Sequence, residues 1–269
     1  MNSIYQWCGR FGNNVQQISN AIFFCKENSL NFQSPDNEVI NSFSVNFGQN
    51  LCNPGLYFFH IPSKIGSGIP DYTTGDIPLL YKVRREICKE YIYPNLKINF
   101  DNVKELDNDT VVMHIRSGDI FSRKDYYCSV VSNYLQNPLD YYIKISENYN
   151  KVIVLTEDYQ NPVIAELNKI EKFDIRILGI QETIEIMLSA KNIVTSGVSS
   201  FGIACALLSK NVKRVYASDL IVDEILNFND LIQTDIEVKV TSIDIERYIK
   251  WNNWLNSEDQ RQLMIEYKI

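Results

Sequence analysis

The sequence predicts an α/β protein with parallel sheets, organised as two strand-and-helix halves. Three observations predict it. Over residues 151–217, short β-branched runs alternate with helical patterns, the rhythm of a parallel sheet. Near the N-terminus a strand candidate passes through a glycine loop into a helix. Between these regions, residues 99–109 are polar and charged and read as a linker.

The first half opens with a strand candidate over residues 3–7, followed by Cys8-Gly9-Arg10-Phe11-Gly12-Asn13-Asn14. Val15, Ile18, Ala21, Ile22 and Cys25 then recur at helical spacing. Such a loop aims backbone N–H groups and a helix N-terminus at a bound anion. A tight strand-to-helix turn explains the same residues. The loop has neither Gly-x-Gly-x-x-Gly nor a Walker lysine, so neither a dinucleotide site nor an NTPase follows. Residues 43–47 and 56–60 read as strands, and 62–78 as a long loop of the kind that forms lids or pockets. Residues 79–91 form an amphipathic helix with Leu80, Val83, Ile87 and Tyr91 on one stripe, ended by Pro94.

Asp107-Asn108-Asp109 has the Asp-x-Asp form that metal-dependent glycosyltransferases use to hold a divalent cation. In those enzymes it follows a buried strand; here it precedes one, and a turn is the reading of the residues themselves. The strand it opens, residues 110–115, is apolar and β-branched and stops at Arg116, Ser117, Gly118 and Asp119. Ligands of open parallel sheets bind just beyond the carboxyl ends of strands. A guanidinium there can grip two oxygens of a diphosphate, with Asp119 close enough to fix it or to meet a ligand hydroxyl. A surface Arg–Asp pair after a turn is the alternative.

Residues 122–137 are irregular and 138–149 helical. Strands at 151–155, 175–178, 192–195 and 213–217 then alternate with helices at 162–173, 181–190 and 200–209. The first of these strands ends in Thr156-Glu157-Asp158, and the third leads into Thr195-Ser196-Gly197-Val198-Ser199-Ser200-Phe201-Gly202. Backbone N–H groups and serine hydroxyls at that helix start could hold a phosphate, although a capped helix also accounts for the serines. Residues 219–230 read as a surface helix or loop and 236–240 as a last strand. Tyr248, Trp251 and Trp254 make an aromatic stripe, and Ser257-Glu258-Asp259-Gln260 a capping box for a final helix.

Composition narrows the classes. A net charge of −7 without a block of Lys or Arg argues against nucleic acid as partner. The six cysteines are scattered, without a Cys-x-x-Cys pair, and only His60 and His114 accompany them, so no metal site is expected. Cys25 and Cys205 fall in apolar helical patterns as buried thiols. Without a basic segment leading an apolar run, and without a stretch of about 18 apolar residues, the expectation is a cytoplasmic chain with no membrane span.

Three segments together resemble the fucosyltransferase superfamily of α1,2-, α1,6- and protein O-fucosyltransferases. His114-x-Arg116-x-x-Asp119 is similar to its His-x-Arg-Arg-x-Asp motif, with Ser117 where many members carry a second Arg. Gly9-Arg10-Phe11-Gly12-Asn13 looks like the N-terminal Gly-Arg-Phe-Gly-Asn-Gln loop. Thr156-Glu157-Asp158, and the helix, strand and Ser199-Ser200-Phe201 turn, are similar to the second and third motifs, in the same order across residues 8–205. The resemblance implies two Rossmann-like domains facing a cleft, the GT-B arrangement. It places an acceptor-side domain at 1–100, a nucleotide-sugar domain at 109–240 and C-terminal helices at 241–269 that pack across the junction.

It further implies an inverting glycosyltransferase with a nucleotide-sugar donor, a glycan or glycoconjugate acceptor, and no cofactor or metal. Arg116 would neutralise the departing phosphate, Asp119 would orient it, and His114 is the third catalytic candidate. Donor binding falls to Gly9, Arg10, Gly12, Asn13, Arg116, Glu157, Ser199, Ser200, Phe201 and Gly202, with Arg10 and Asn13 towards the acceptor. His114, Glu157, Asp76 and Asp119 all qualify chemically as a base. GDP-fucose is the family's donor; Ser117 leaves another nucleotide sugar such as UDP-xylose open. A non-catalytic nucleotide- or glycan-binding module, and a metal-dependent transferase using Asp107 and Asp109, are the alternatives.

Overall fold

The computed structural model describes residues 2–4, 7, 9–48, 76–122, 134–222, 225–248 and 254–269, the side chains of 2 and 76–78 excepted. The expectations at Cys8, at the strand 56–60 with His60, at most of the loop 62–78, at the side chain of Asp76 and at Trp251 lie outside them.

The chain begins with β1 (Asn2–Ser3), α1 (Phe11–Glu27), β2 (Phe32–Ser34) and β3 (Phe43–Val45). β1 pairs parallel with β2 across α1, a strand–helix–strand unit, whereas β3 runs antiparallel to β2. The antiparallel return differs from the all-parallel expectation. Its cause is the connection, residues 35–42, which is shorter than the dozen or so residues a parallel crossover needs. Helix α1 starts earlier than its apolar spacing indicates, because Phe11 and Gly12 already lie inside it. Then come α2 (Asp76–Ile87), which widens into a π turn at Cys88–Ile92, and a 3-10 turn at Tyr93–Asn95 that carries Pro94.

Residues 99–109 are packed rather than loose. Glu185 accepts from the Asn99 N–H at 2.8 Å and from Asn102 Nδ2 at 2.9 Å, and the Leu106 N–H donates to Ser189 O at 2.9 Å. Asp107 closes the turn into the next strand by accepting from the Thr110 N–H at 3.1 Å.

The principal sheet follows. Its strands are β4 (Thr110–His114), β5 (Lys151–Thr156), β6 (Phe173–Ile177), β7 (Asn192–Val194), β8 (Arg214–Ser218) and β9 (Glu237–Thr241). The connecting helices are α3 (Leu139–Ser146), α4 (Pro162–Leu167), α5 (Ile180–Ser189) and α6 (Phe201–Leu208), with α7 (Ile245–Tyr248) and α8 (Glu258–Glu266) after the last strand. Local chemistry sets several boundaries. Asn161 caps α4 by accepting from the Val163 N–H, with Pro162 at the first helical position, and Ser257 caps α8 through the Gln260 N–H.

All six strands are parallel, in the order β6-β5-β4-β7-β8-β9. Numbered from β4, this is the 3-2-1-4-5-6 order of the Rossmann fold. Both faces are covered, so all five residues of β4 are buried. One face, with Val112, Ile153, Leu155, Ile193 and Val215, packs under α1, α2, α5 and α6 in a single apolar core that extends to Ile4 and Phe32. The other, with Val111, Met113, Val152, Val154 and Tyr216, packs under α3, α4 and the C-terminal segment. Helix α8 therefore lies on α3 and α4, on the sheet face away from α1, rather than across a junction with the N-terminal region. Trp254 belongs to this core, as expected of an aromatic stripe.

Cys25, Cys88 and Cys205 are buried, and burial pushes the Cys88 thiol up to about 12. Among the described residues no helix is long and apolar enough to cross a membrane.

Candidate anion-binding site

In the 3-2-1-4-5-6 order the chain leaves β4 in one direction and returns at β7 to continue in the other. The crevice beyond the carboxyl ends of β4 and β7 is thus the switch point, where open α/β sheets bind ligands. Asp107 and Asp109 sit at the opposite end of β4.

Arg116 is held in the crevice from several directions. Its N–H donates to Ser196 Oγ at 3.0 Å, and its carbonyl accepts from Asn161 Nδ2 at 2.9 Å. The guanidinium lies 4.5 Å from the Tyr134 ring centroid, and Nη2 is 3.3 Å from Asp119 Oδ1. Ser196 in turn donates to Gln136 Oε1 at 2.5 Å, tying the loop after β7 to the segment before α3. The Arg116 side chain is 18% exposed, and its Nε is buried with no hydrogen-bond partner among the described residues.

Ser117 turns the other way. It is fully buried, donates to Asp158 Oδ1 and accepts from the Asn161 N–H at 2.9 Å. Asp158 also accepts from the Gln160 N–H at 2.9 Å, from Gln160 Nε2 at 2.8 Å and from the Gly118 N–H at 3.4 Å. Burial alone would raise the Asp158 carboxyl, but these hydrogen bonds win and hold it below its ordinary value. Gly118 has φ +65, and a Cβ there would come within 2.7 Å of Glu157 Oε2. The left-handed backbone, rather than the movable Glu157 side chain, is what favours glycine at this turn.

The N-terminus of α1 closes the crevice. Arg10 Nη1 lies 2.5 Å from Glu157 Oε2, and Nη2 lies 3.3 Å from the same Asp119 oxygen that Arg116 meets. Two guanidiniums therefore share one carboxylate, and two acids balance two cations. The start of α6 meets the start of α1: Ser200 Oγ donates to Asn13 Oδ1 at 2.9 Å, and a Cβ on Gly12 would lie 2.7 Å from the Ser200 carbonyl carbon. Neither helix has a side-chain cap, so the positive ends of both converge beside the two arginines.

His114 is buried and stacks on Phe201, with centroids 4.4 Å apart; Phe201 also packs on Phe11 at 5.7 Å. Burial first, then the charges of Arg116 and Arg10, push its imidazole down to about 3. Gly202 allows α6 to approach Thr195, whose Cγ2 would lie 3.1 Å from an added Cβ. Ser199 faces a small neighbouring cleft of about 10 Å³, room for about one water, lined also by Thr195, Val198, Ala217, Leu220 and Asn227.

Arg10, Asn13, His114, Arg116, Asp119, Glu157, Ser200 and Phe201 are thus brought together, with Gly9, Gly12 and Gly202 at close approaches around them. Ser199 lies beside them. Sequence reasoning gave no role to Asp158, although it quoted the motif that contains it. It gave none to Asn161, Ser196, Gln136 and Tyr134, whose contacts with the motif come from other loops and leave no periodic or spacing signal. Comparison of the chain with family models, with curated proteins and with solved structures finds no match.

Proposed function

We propose that this chain is an inverting, metal-independent glycosyltransferase that moves a sugar, fucose from GDP-fucose in the first instance, onto a glycan hydroxyl. The observation that carries the reading is Asp119 shared by Arg10 and Arg116 where two uncapped helix N-termini meet at the sheet's switch point. Such a site matches a diphosphate leaving group. Its two helix N-termini supply fixed positive potential, and its two guanidiniums, balanced by Asp119 and Glu157 without ligand, would turn to the negative charge that grows as the sugar–phosphate bond breaks, a contribution that is usually the largest in catalysis.

In this reading the acceptor oxygen bonds to the sugar carbon, the nucleoside diphosphate departs onto Arg116, Arg10 and the α6 amides, and the acceptor proton passes to a carboxylate. Asp119 and Glu157 are the carboxylates at the site that could take that role. Residues 109–240 would bind the nucleotide sugar, with Arg10 and Asn13 of the first hundred residues reaching the same crevice and the acceptor entering from that side.

Melting temperatures with GDP, UDP, GDP-fucose and UDP-xylose, each with and without EDTA, test the proposal, since a ligand of the native state raises its stability by mass action. The expected outcome is an upward shift with GDP and GDP-fucose that survives EDTA and disappears in Arg116→Ala. A shift with UDP species alone keeps the chemistry and changes the donor. No shift with any nucleotide would sink the reading.

A further inference from the structure

We propose that Arg261 is a positioning residue for the anion site: from α8 it holds Gln160, and through Gln160 and Asp158 it fixes the turn at Ser117 and Gly118 that aims Arg116 and Asp119. The inference rests on the anion-site reading above.

The connections are short and continuous. Arg261 Nη2 donates to Gln160 O at 2.6 Å, and Gln160 uses both its N–H and its side-chain amide on Asp158. Asp158 receives Ser117 Oγ and the Gly118 N–H, so one carboxylate anchors the first two residues of the turn. A second branch reaches the other end of the turn. Arg261 Nη1 donates to Asn256 Oδ1 at 2.8 Å, while Asn256 Nδ2 donates to Phe121 O at 3.1 Å. Trp254 Nε1 donates to Ile120 O at 3.2 Å, and the Arg261 guanidinium lies 5.6 Å from the Phe121 ring centroid.

Asn256 is buried and holds φ +54, an uncommon backbone state that its side-chain bonds keep in place. Among the described residues Arg261 makes no ion pair; its N–H groups go to a carbonyl and an amide oxygen of these loops. One planar fork thus clamps the segments after β4 and β5 together from below the crevice. A guanidinium suits this, because its donors diverge in fixed directions that an ammonium does not reproduce.

The test is titration calorimetry of the whole chain with inorganic pyrophosphate, with melting temperatures recorded for each variant. Arg261→Gln is expected to weaken pyrophosphate binding about fivefold, and to add less than about twofold when Asp158 is already Asn, because both act along one path. Arg261→Lys, which keeps one donor, recovers part of the loss and guards against a Gln variant that fails to fold. Equal fivefold losses in both backgrounds would mean general loosening and overturn the proposal. So would wild-type affinity in Arg261→Gln while Arg116→Ala has lost the ligand. Pyrophosphate that does not bind the wild type, or that binds Arg116→Ala unchanged, removes the anion site itself and the inference with it.

Discussion

His114 closes β4 two residues before Arg116, and burial together with two nearby guanidiniums pushes its imidazole from an ordinary 6.5 down to about 3. It is neutral at neutral pH and a poor base, so one of the four sequence candidates for a base has its chemistry suppressed by its surroundings. The consequence is thermodynamic. The unfolded chain takes up a proton at about 6.5 and the native chain does not, so the unfolded state binds more protons in this window. Stability from this group is complete above about 6.5 and is lost as pH falls towards 3. Between pH 7 and pH 5 the loss comes to about 2 kcal/mol. His114→Phe keeps a ring against Phe201 and cannot titrate. Urea unfolding at the two pH values should show the wild type losing about 2 kcal/mol more than the variant. Equal losses would mean that the imidazole is not held neutral.

At the scale of elements, α2 is fastened by a charge that the apolar stripe of its sequence does not announce. Arg84 Nε lies 2.9 Å from Asp230 Oδ1, both side chains are almost fully buried, and Arg84 Nη1 donates to Ser19 Oγ at 2.9 Å. Asp230 also accepts from the Asn227 N–H at 3.0 Å, and Gln16 accepts from the Leu226 N–H at 3.2 Å, so this cluster ties α1 and α2 to the loop that walls the cleft beside Ser199. Burial pushes the Asp230 carboxyl up even though Arg84 pulls it down, so removing Arg84 strands a buried acid. Arg84→Met should cost about 3–5 kcal/mol by urea unfolding, and adding Asp230→Asn should return a large part of it. A double variant no more stable than the single one would refute this account. In the sequence, residues 219–230 read as a surface helix or loop and residues 79–91 as an amphipathic helix known only by its apolar stripe. The pair is separated by 146 positions, and no spacing rule reaches that far. The central strands of the large sheet were legible because burial on both faces forces β-branched runs, a property of each segment alone. The loops after β4 and β5 were legible at Arg116, Asp119 and Glu157 through their motifs, and silent at the residues that hold them from other loops.

Across the whole molecule the question is whether the first hundred residues and the sheet behave as one body or two. Polar residues between two strand-and-helix halves suggested a division, but strand order and helix contacts are set by long-range packing that periodicity does not encode. Helix α1 is buried along nearly its whole length, and its core runs without a break from Ile4 and Phe32 through α6 to Val112 and Val215. Glu185 fastens the linker to α5, and the anion site takes Arg10 and Asn13 from one side and Arg116, Glu157 and Ser200 from the other. Apolar burial shared this way makes neither part stable alone, since each would expose the surface it now covers. Tryptophan fluorescence and far-ultraviolet circular dichroism should therefore report a single, coincident urea transition. In the anion-site reading, pyrophosphate at about 100 times its Kd should move that transition as a unit, by about 2.7 kcal/mol. Two separated transitions, with ligand shifting only one, would show that the halves fold independently and that the site belongs to a single half.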